Sequence, residues 1–466
     1  MDNSKELEYE SVGKLLIKFS IPSIVGMVVN SLYTIVDRIF VGRGVGSLAL
    51  SGVAVTFPIS NIFMAFGMLT GIGGAAAVSI KLGQKKRDEA EKIVGNVFTL
   101  NIIFSLLITI IGIVFLDPIL KAFGASPEIM PYAKQFSFIL LLGVILQNLG
   151  FGMNPLMRSE GEPKMAMITM LIGSVLNFTI NPILIFGFKL GVRGSALATI
   201  VSQAVCSLWI FLFFTKGRSL LKLKKENMKL DKKVIGEIIA IGMSPFAMQL
   251  AGSLITVTFN KSLSQYGGDL AIGAFSLINS IAMLILMPVF GINQGAQPII
   301  GYNYGAQNFH RVRKALKYAV AAGTCIATVG FIIVHLFPVQ IIRIFNTSDV
   351  KLIDIGSRGI FIFLMMLPLI GCQCVCANYF QAIGKAKISM FLSLSRQVIV
   401  LLPLLLILPH YFKLDGIWIS GPIADFIAWA LTMVFVAYNI KKLNLFNKDI
   451  KEIKEENLDD AVGSRI

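Results

Sequence analysis

Apolar stretches recur along the whole chain, and polar residues gather in the short segments between them. Twelve runs stand out, near residues 15–42, 48–78, 93–116, 131–152, 164–188, 192–215, 234–264, 271–297, 315–338, 357–380, 388–411 and 416–440. A run of about 20 apolar residues is long enough to cross the hydrocarbon of a bilayer as a helix. The pattern therefore predicts an all-α integral membrane protein with twelve transmembrane helices. The second and eighth runs are long enough to tilt or to pass beyond the hydrocarbon.

The pattern also repeats. An offset of 222 or 223 positions lays Ile21-Pro22 on Ser244-Pro245, Asp37-Arg38 on Asn260-Lys261 and Gly83 on Gly305. The same offset lays Gly161 and Lys164 on Gly384 and Lys387, and Gly194 on Gly416. A nearly constant offset over the whole length marks an internal duplication. Six helices is an even number, so both halves enter the membrane in the same sense, with their pseudo-two-fold axis along the membrane normal. The expected architecture is two six-helix bundles around a central cavity. Residues 1–215 form an amino-terminal lobe, 216–233 a basic cytoplasmic linker, 234–440 a carboxy-terminal lobe and 441–466 a cytoplasmic tail. Two such bundles can rock against each other and open the cavity first to one side and then to the other. The Lys/Leu pattern of the linker predicts either a short amphipathic helix lying on anionic lipid or a plain solvated connection.

Composition agrees with a membrane protein: 55% of the 466 residues are hydrophobic and 15% are charged, against about 25% charged in soluble domains. The net charge of +16 invites a nucleic-acid reading, but the basic residues sit in short segments between apolar runs. That placement suits membrane topology and lipid contact, with no nucleic-acid partner. Of the 42 basic residues, thirty lie at the termini and in the even-numbered connections, eleven lie on the opposite side, and Arg396 falls within a span. The excess predicts a multi-pass protein of the cell membrane with both termini in the cytoplasm. Met1 to Ser11 is polar and acidic, so no cleavable signal peptide is expected. Cys372, Cys374 and Cys376 alternate inside an apolar run; this is not metal or redox spacing, and no metal site is expected.

Asp37 changes the picture. It lies near the end of the first run, after the uncharged stretch from Phe19 to Val36. A carboxylate at that depth costs at least about 2.5 kcal/mol unless it faces protein or water, so it marks a functional site unless it merely pairs with Arg38 at the interface. Asn30 and Tyr33, seven and four residues earlier, share roughly its face of the helix. In the fifth run Asn177 and Asn181 are four apart, and Pro182 leaves a backbone carbonyl free and favours a kink. Thr199 in the sixth run adds a hydroxyl, and Asn154 precedes Pro155 in the fourth. Buried amides need partners, and as a set these groups form a candidate polar site around one carboxylate. The second half carries Asn260 in the place of Asp37, which assigns the coupling ion to the first lobe.

These residues resemble the multidrug and toxic compound extrusion (MATE) family over essentially the whole chain. The resemblance is carried by S-I-P-S-I-V-G and L-Y-T-I-V-D-R-I-F-V-G in helix 1, R-S-E-G-E-P-K after helix 4, and L-N-F-T-I-N-P-I-L-I-F-G in helix 5. V-R-G-S-A-L-A-T in helix 6 and G-I-W-I-S-G-P-I-A-D at helix 12 complete it. Within the family the chain is most similar to prokaryotic exporters with a helix-1 acid and no matching acid in the second lobe. The resemblance implies an antiporter, acting as a monomer, that exports amphipathic or cationic drugs in exchange for H⁺ or Na⁺. It also implies an amino-lobe cation site at Asp37, Asn177, Asn181 and Thr199. Asn181 departs from the family pattern, which has Asp before that Pro; this favours H⁺ over Na⁺.

The expected mechanism is protonation of Asp37 from outside and its release inside, since burial in a low dielectric favours the neutral form. Each proton entering supplies about 2.3 kcal/mol per 100 mV and about 1.36 kcal/mol per pH unit. No cofactor is expected, and the nucleotide motif G-x-x-x-x-G-K-[ST] is absent. Candidate cavity walls are Phe57, Met64, Phe275, Met283 and Met287, with Asn30, Tyr33, Asn154, Asn260 and the Gln297 amide as polar groups. Arg396 and Asp425 are further intramembrane charges that either pair with each other or gate the second lobe. Two rival functions remain. A flippase for lipid-linked oligosaccharide or peptidoglycan precursors needs a cationic cavity, for which Arg396 is the main candidate. An intramembrane enzyme is disfavoured because His310, His335 and His410 form no catalytic pattern.

Overall fold

The computed structural model describes residues 6–217, 219–345 and 350–463, which are helix and turn without a strand. Nine helices cross singly: α1 (Val12–Gly44), α2 (Leu48–Gly83), α3 (Arg87–Val114), α4 (Met130–Ser159), α5 (Pro163–Gly187), α6 (Val192–Thr215), α7 (Lys232–Gly268), α8 (Leu270–Gly305) and α9 (Phe309–Leu336). A tenth span, α10, is the pair Val350–Phe363 and Leu367–Ala382, bent by 51°. The stretch Ala386–Lys442 is 57 residues long and breaks at Lys413, whose φ of 50° and ψ of −129° leave the helical region. It supplies α11 (386–412) and α12 (414–442), which brings the crossings to twelve. The tail side chains beyond Lys442 and the side chain of Arg38 lie outside the described residues.

Several helices outrun the apolar segments that predict them. Helix α4 continues to Ser159, α8 continues to Gly305, and α3 begins at Arg87. An apolar run measures contact with hydrocarbon, whereas the i→i−4 ladder continues into the polar layer. Asp231 caps α7 by accepting from the Lys233 N–H at 2.8 Å, which fixes where that helix starts. The break expected at Pro182 takes the form of a π-helical turn over Ile183–Gly187.

The linker is neither a surface helix nor a free connection. Apart from a single 3₁₀ turn at Lys225–Met228, its described residues run extended along the first lobe. Leu221 and Leu223 point inward, 0% and 8% exposed, while Lys222 and Lys224 point outward. Leu-Lys-Leu-Lys has a period of two, which suits an extended chain and not a helix. Arg87 donates to the Leu220 carbonyl at 2.5 Å, and Lys224 pairs with Glu91 at 2.6 Å. Glu160, in the α4–α5 loop, accepts from the Ser219 hydroxyl at 2.8 Å and from the Leu221 N–H at 3.1 Å. Burial pushes the Glu160 carboxyl up to about 8, more than these two donors offset.

The duplication is written in the backbone. Residues with positive φ recur at the offset read from the sequence: Gly46 and Gly268, Lys85 and Gln307, Gly161 and Gly384, Gly191 and Lys413. Each pair ends matching helices. Short helices at Leu116–Ala122 and Pro338–Phe345 occupy matching loops. The lobes meet through reciprocal contacts, as a two-fold relation requires. A side chain on Gly83 would strike the Tyr302 carbonyl, and one on Gly305 would strike the Ile80 carbonyl. Likewise Gly242 lies against Leu69, and Gly291 against Ile24. All these approaches lie in the half of the bundle next to the basic loops. There one buried cluster runs across both lobes and includes Leu15, Ala76, Ile238, Ile299 and Tyr379. Toward the opposite end the core divides. Val41, Ile185 and Ala196 form one cluster in the first lobe, and Phe259, Phe275 and Trp418 belong to another in the second. The bundle is therefore closed at the basic-loop end and separates toward the other.

Candidate functional site

Asp37 lies seven residues before the end of α1, about 10 Å from that end at 1.5 Å per residue, in the separated half of the bundle. It faces α5 and α6. Asn181 donates its side-chain amide to Asp37 Oδ1, and the Ser195 hydroxyl donates to the same oxygen at 2.8 Å. The network continues inward. Asn181 Nδ2 lies 3.4 Å from Asn177 Oδ1, Asn177 Nδ2 donates to Thr199 Oγ1 at 3.2 Å, and Thr199 donates to the Ser195 carbonyl at 3.1 Å. Asn181 is fully buried, and its Oδ1 accepts no hydrogen bond. Ser195 stands in the first turn of α6, where free N–H groups and the helix dipole favour a nearby anion. Among the described residues, two neutral donors thus hold the carboxylate at a helix N-terminus, beside an acceptor oxygen left without a donor.

The structure brings Asp37, Asn177, Asn181 and Thr199 together from three helices. Ser195 belongs with them and was not singled out in the sequence; it lies four residues before Thr199, on the same helical face. Asn30 and Tyr33 are half-buried on α1, two turns and one turn below Asp37 respectively. Met64 and Met287 are also half-buried, while Met283, Asn260 and Phe57 are exposed.

Three residues expected at the cavity wall sit elsewhere. Asn154 is buried inside the first lobe, where it donates to the Ala166 carbonyl at 2.9 Å and accepts from Arg158 at 2.8 Å. Its amide is used up in tying α4 to α5. Phe275 is packed in the second-lobe core, stacked on Phe259 at 4.5 Å and edge-on to Phe363 at 5.8 Å. Gln297 reaches across the lobes to the Ile72 carbonyl at 3.3 Å and belongs to the closed end. Other interlobe contacts are Gln249 to Asn61 at 3.3 Å and Phe66 edge-on to Phe246 at 5.0 Å. In the second lobe Arg396 and Asp425 form an ion pair at 2.6 Å, with Asp425 buried. Arg396 stands in a π-helical turn, Ser395–Leu401, a local widening that often accompanies functional or strained positions.

The same duplication appears in comparison with known proteins. The MatE family model matches the chain twice, over residues 22–183 and 245–407. The chain belongs to the MatE family. One match falls in each lobe. The multidrug export protein MepA of Staphylococcus haemolyticus is 27% identical over 434 residues, covering 93% of this chain and 95% of its own. Among solved structures, the MATE multidrug transporter DinF-BH, determined in complex with a small molecule, is 37% identical, with a TM-score of 0.87 and coverage of 92% of this chain and 96% of that one. An outward-facing conformation of a multidrug resistance MATE family transporter of the MOP superfamily superposes with a TM-score of 0.89 at 25% identity, covering 94% and 98%. Both structures have the two-lobed arrangement of twelve helices found here.

Proposed function

We propose that this MatE-family chain is a proton-coupled antiporter that exports amphipathic cations, with Asp37 as the group where proton and cargo compete. The observation that carries the proposal is the pairing of the Asp37 carboxylate with Asn181 and Ser195, next to the unsatisfied Asn181 Oδ1. A carboxylate accepts hydrogen bonds and cannot donate them; a carboxylic acid can do both. When Asp37 takes a proton, rotation of the Asn181 amide offers Oδ1 to the new O–H, in exchange for the bond its Nδ2 donates to the charged form. Loss of the negative charge removes the attraction for a cationic compound in the cavity, and the cargo leaves.

The excess of basic residues at the closed end supports a cytoplasmic location for that end and for both termini. The separated half then faces outward, the state that admits protons from outside, in keeping with the outward-facing relative. A site for Na⁺ would draw on oxygens of Asp37, Asn177, Asn181 and Thr199 with a single negative charge among them. A hard cation is better served by a second carboxylate. The drug-export relative MepA and the small molecule bound to DinF-BH support the cargo class. The flippase reading loses its anion-binding group, because Arg396 is already neutralised by Asp425.

Proteoliposomes test the ion directly. An inward-directed pH gradient without Na⁺ should drive counter-movement of a lipophilic cationic dye. Movement driven by a Na⁺ gradient at equal pH, and absent with the pH gradient alone, would contradict proton coupling.

A further inference from the structure

The segment that leads into α1 lies on the opposite lobe. It is a single helical turn, Glu6–Tyr9, followed by Glu10, Ser11 and then α1. Leu7 is fully buried in the cluster at the closed end, which also holds Leu316 of α9. The Leu7 carbonyl accepts from Asn303 Nδ2 of α8 at 3.2 Å and from Arg311 Nη2 of α9 at 3.1 Å. Arg311 Nη2 also donates to the Glu10 carbonyl at 2.6 Å, and Arg311 Nε donates to Asn303 Oδ1 at 2.9 Å. The Tyr302 hydroxyl donates to the Glu8 carboxylate at 3.3 Å. This clamp has a counterpart in the other lobe. The offset of 222 carries Lys81 and Glu89 onto Asn303 and Arg311. Lys81 pairs with Glu89 at 2.8 Å and reaches Glu237, near the start of α7, at 3.6 Å. Each lobe therefore presents a pair from its second and third helices to the start of the other lobe's first helix.

We propose that residues 6–11 are a latch that must let go of Asn303 and Arg311 before the lobes can part at the basic-loop end. The reason is slack. Only Ser11 separates Glu10, whose carbonyl the second lobe holds, from Val12, the first residue of α1. One extended residue spans at most ~3.6 Å, and Ser11 is already extended, with φ of −60° and ψ of 135°. A wider opening pulls the segment off Arg311 or unwinds the start of α1. Release also exposes Leu7 and breaks hydrogen bonds from a charged donor, which are the stronger kind. The latch therefore favours the state closed at this end. The matching Lys81–Glu237 contact joins two side chains that keep access to solvent, 16% and 31% exposed, and such pairs contribute little. Of the two grips, the one on the backbone ahead of α1 is the stronger. The proposal rests on the rocking of two lobes, as the antiport reading does, and on neither the coupling ion nor the cargo.

The test reads the distance across the closed end with spin labels on D88C and H310C, two exposed positions related by the offset, in a chain whose five native cysteines are replaced. The population at long distance should rise about tenfold in R311Q, and at least as much when residues 2–10 are deleted. A Gly/Ser insertion of about six residues between Glu10 and Ser11 keeps Leu7 and Arg311 but supplies ~20 Å of slack. It should open the end about as often as R311Q does. K317Q, an exposed position further along α9, should leave the distance short. Melting temperatures check that each variant is folded, and G83V serves as the reference for opening. If G83V opens while R311Q and the deletion keep the wild-type distance, the segment is no latch. If R311Q opens and the insertion does not, Arg311 acts through the packing of α8 on α9 and the tether is overturned. A distance that stays short in G83V and in every latch variant would contradict the rocking itself, and the latch with it.

Discussion

Asp37 is held in a way that makes its neighbours testable one at a time. The Ser195 hydroxyl donates to the carboxylate at 2.8 Å, and a hydrogen bond to a charged group contributes about 1.5–3 kcal/mol. S195A should therefore lower the rate of dye efflux by about tenfold without changing expression, measured as initial rates in cells loaded with a fluorescent cation. Asn181 makes the opposite kind of prediction. N181D puts a second carboxylate beside Asp37 and gives the cluster the charge a metal cation needs. Efflux by N181D should become sensitive to Na⁺ at fixed pH, whereas wild-type efflux should not. Most of this cluster was legible in the sequence, because Asp, Asn and Thr stand out in apolar helices. Ser195 did not stand out: serine is common in closely packed membrane helices, and only its spacing from Thr199 gave it away. Asn154 misled for a related reason. A buried amide must find a partner, and the sequence does not say whether that partner is cargo or, as here, Arg158 and a backbone carbonyl.

The linker and the crossing of α2 with α8 decide how the helices can move. Glu160 holds the linker through Ser219 and Leu221, and its carboxyl keeps a proton up to about 8 instead of the ordinary 4.5. The docked state therefore binds more protons than the undocked state between those two values, and its stability falls as pH rises through that window. Trypsin cleavage at Lys222, Lys224 and Lys225, taken relative to cleavage in the α8–α9 loop, should rise between about pH 6.5 and about pH 8.5 in the wild type. In E160Q the ratio should stay level. At the crossing, Gly83 and Gly305 let two backbones touch, and a branched side chain has no room there. G83V should separate the closed end and shift the population toward the alternative state. Distances between spin labels at the two lobes' basic-loop ends should lengthen in G83V and stay short in the wild type. The linker's extended path was written in its Leu-Lys alternation, but the density of lysines invited a surface reading. What decided the matter was Glu160, some sixty residues away in sequence.

At the scale of the whole molecule, the twelve spans and their duplication follow from apolar run length and a constant offset, and helical spans of that length are what hydrocarbon requires of a backbone that must satisfy its own hydrogen bonds. The direction of opening was not legible. It depends on which glycines face each other across the lobes, as in Gly83 with Tyr302 and Gly305 with Ile80, and a sequence does not say which backbones meet. The lobes share a scaffold and differ in chemistry: the second neutralises its own charge through Arg396 and Asp425, while the first keeps an acid beside neutral donors. On the proposed function, transport by rocking exchanges one charge, at one place, between two ligands. Proton release on binding of a permanently charged cation, such as tetraphenylphosphonium, to the purified protein near neutral pH reads that exchange directly. The account predicts a release of up to about one proton per cation bound, saturating with occupancy and abolished in D37N. Saturable binding of the cation with no proton released, or release that persists in D37N, would contradict it.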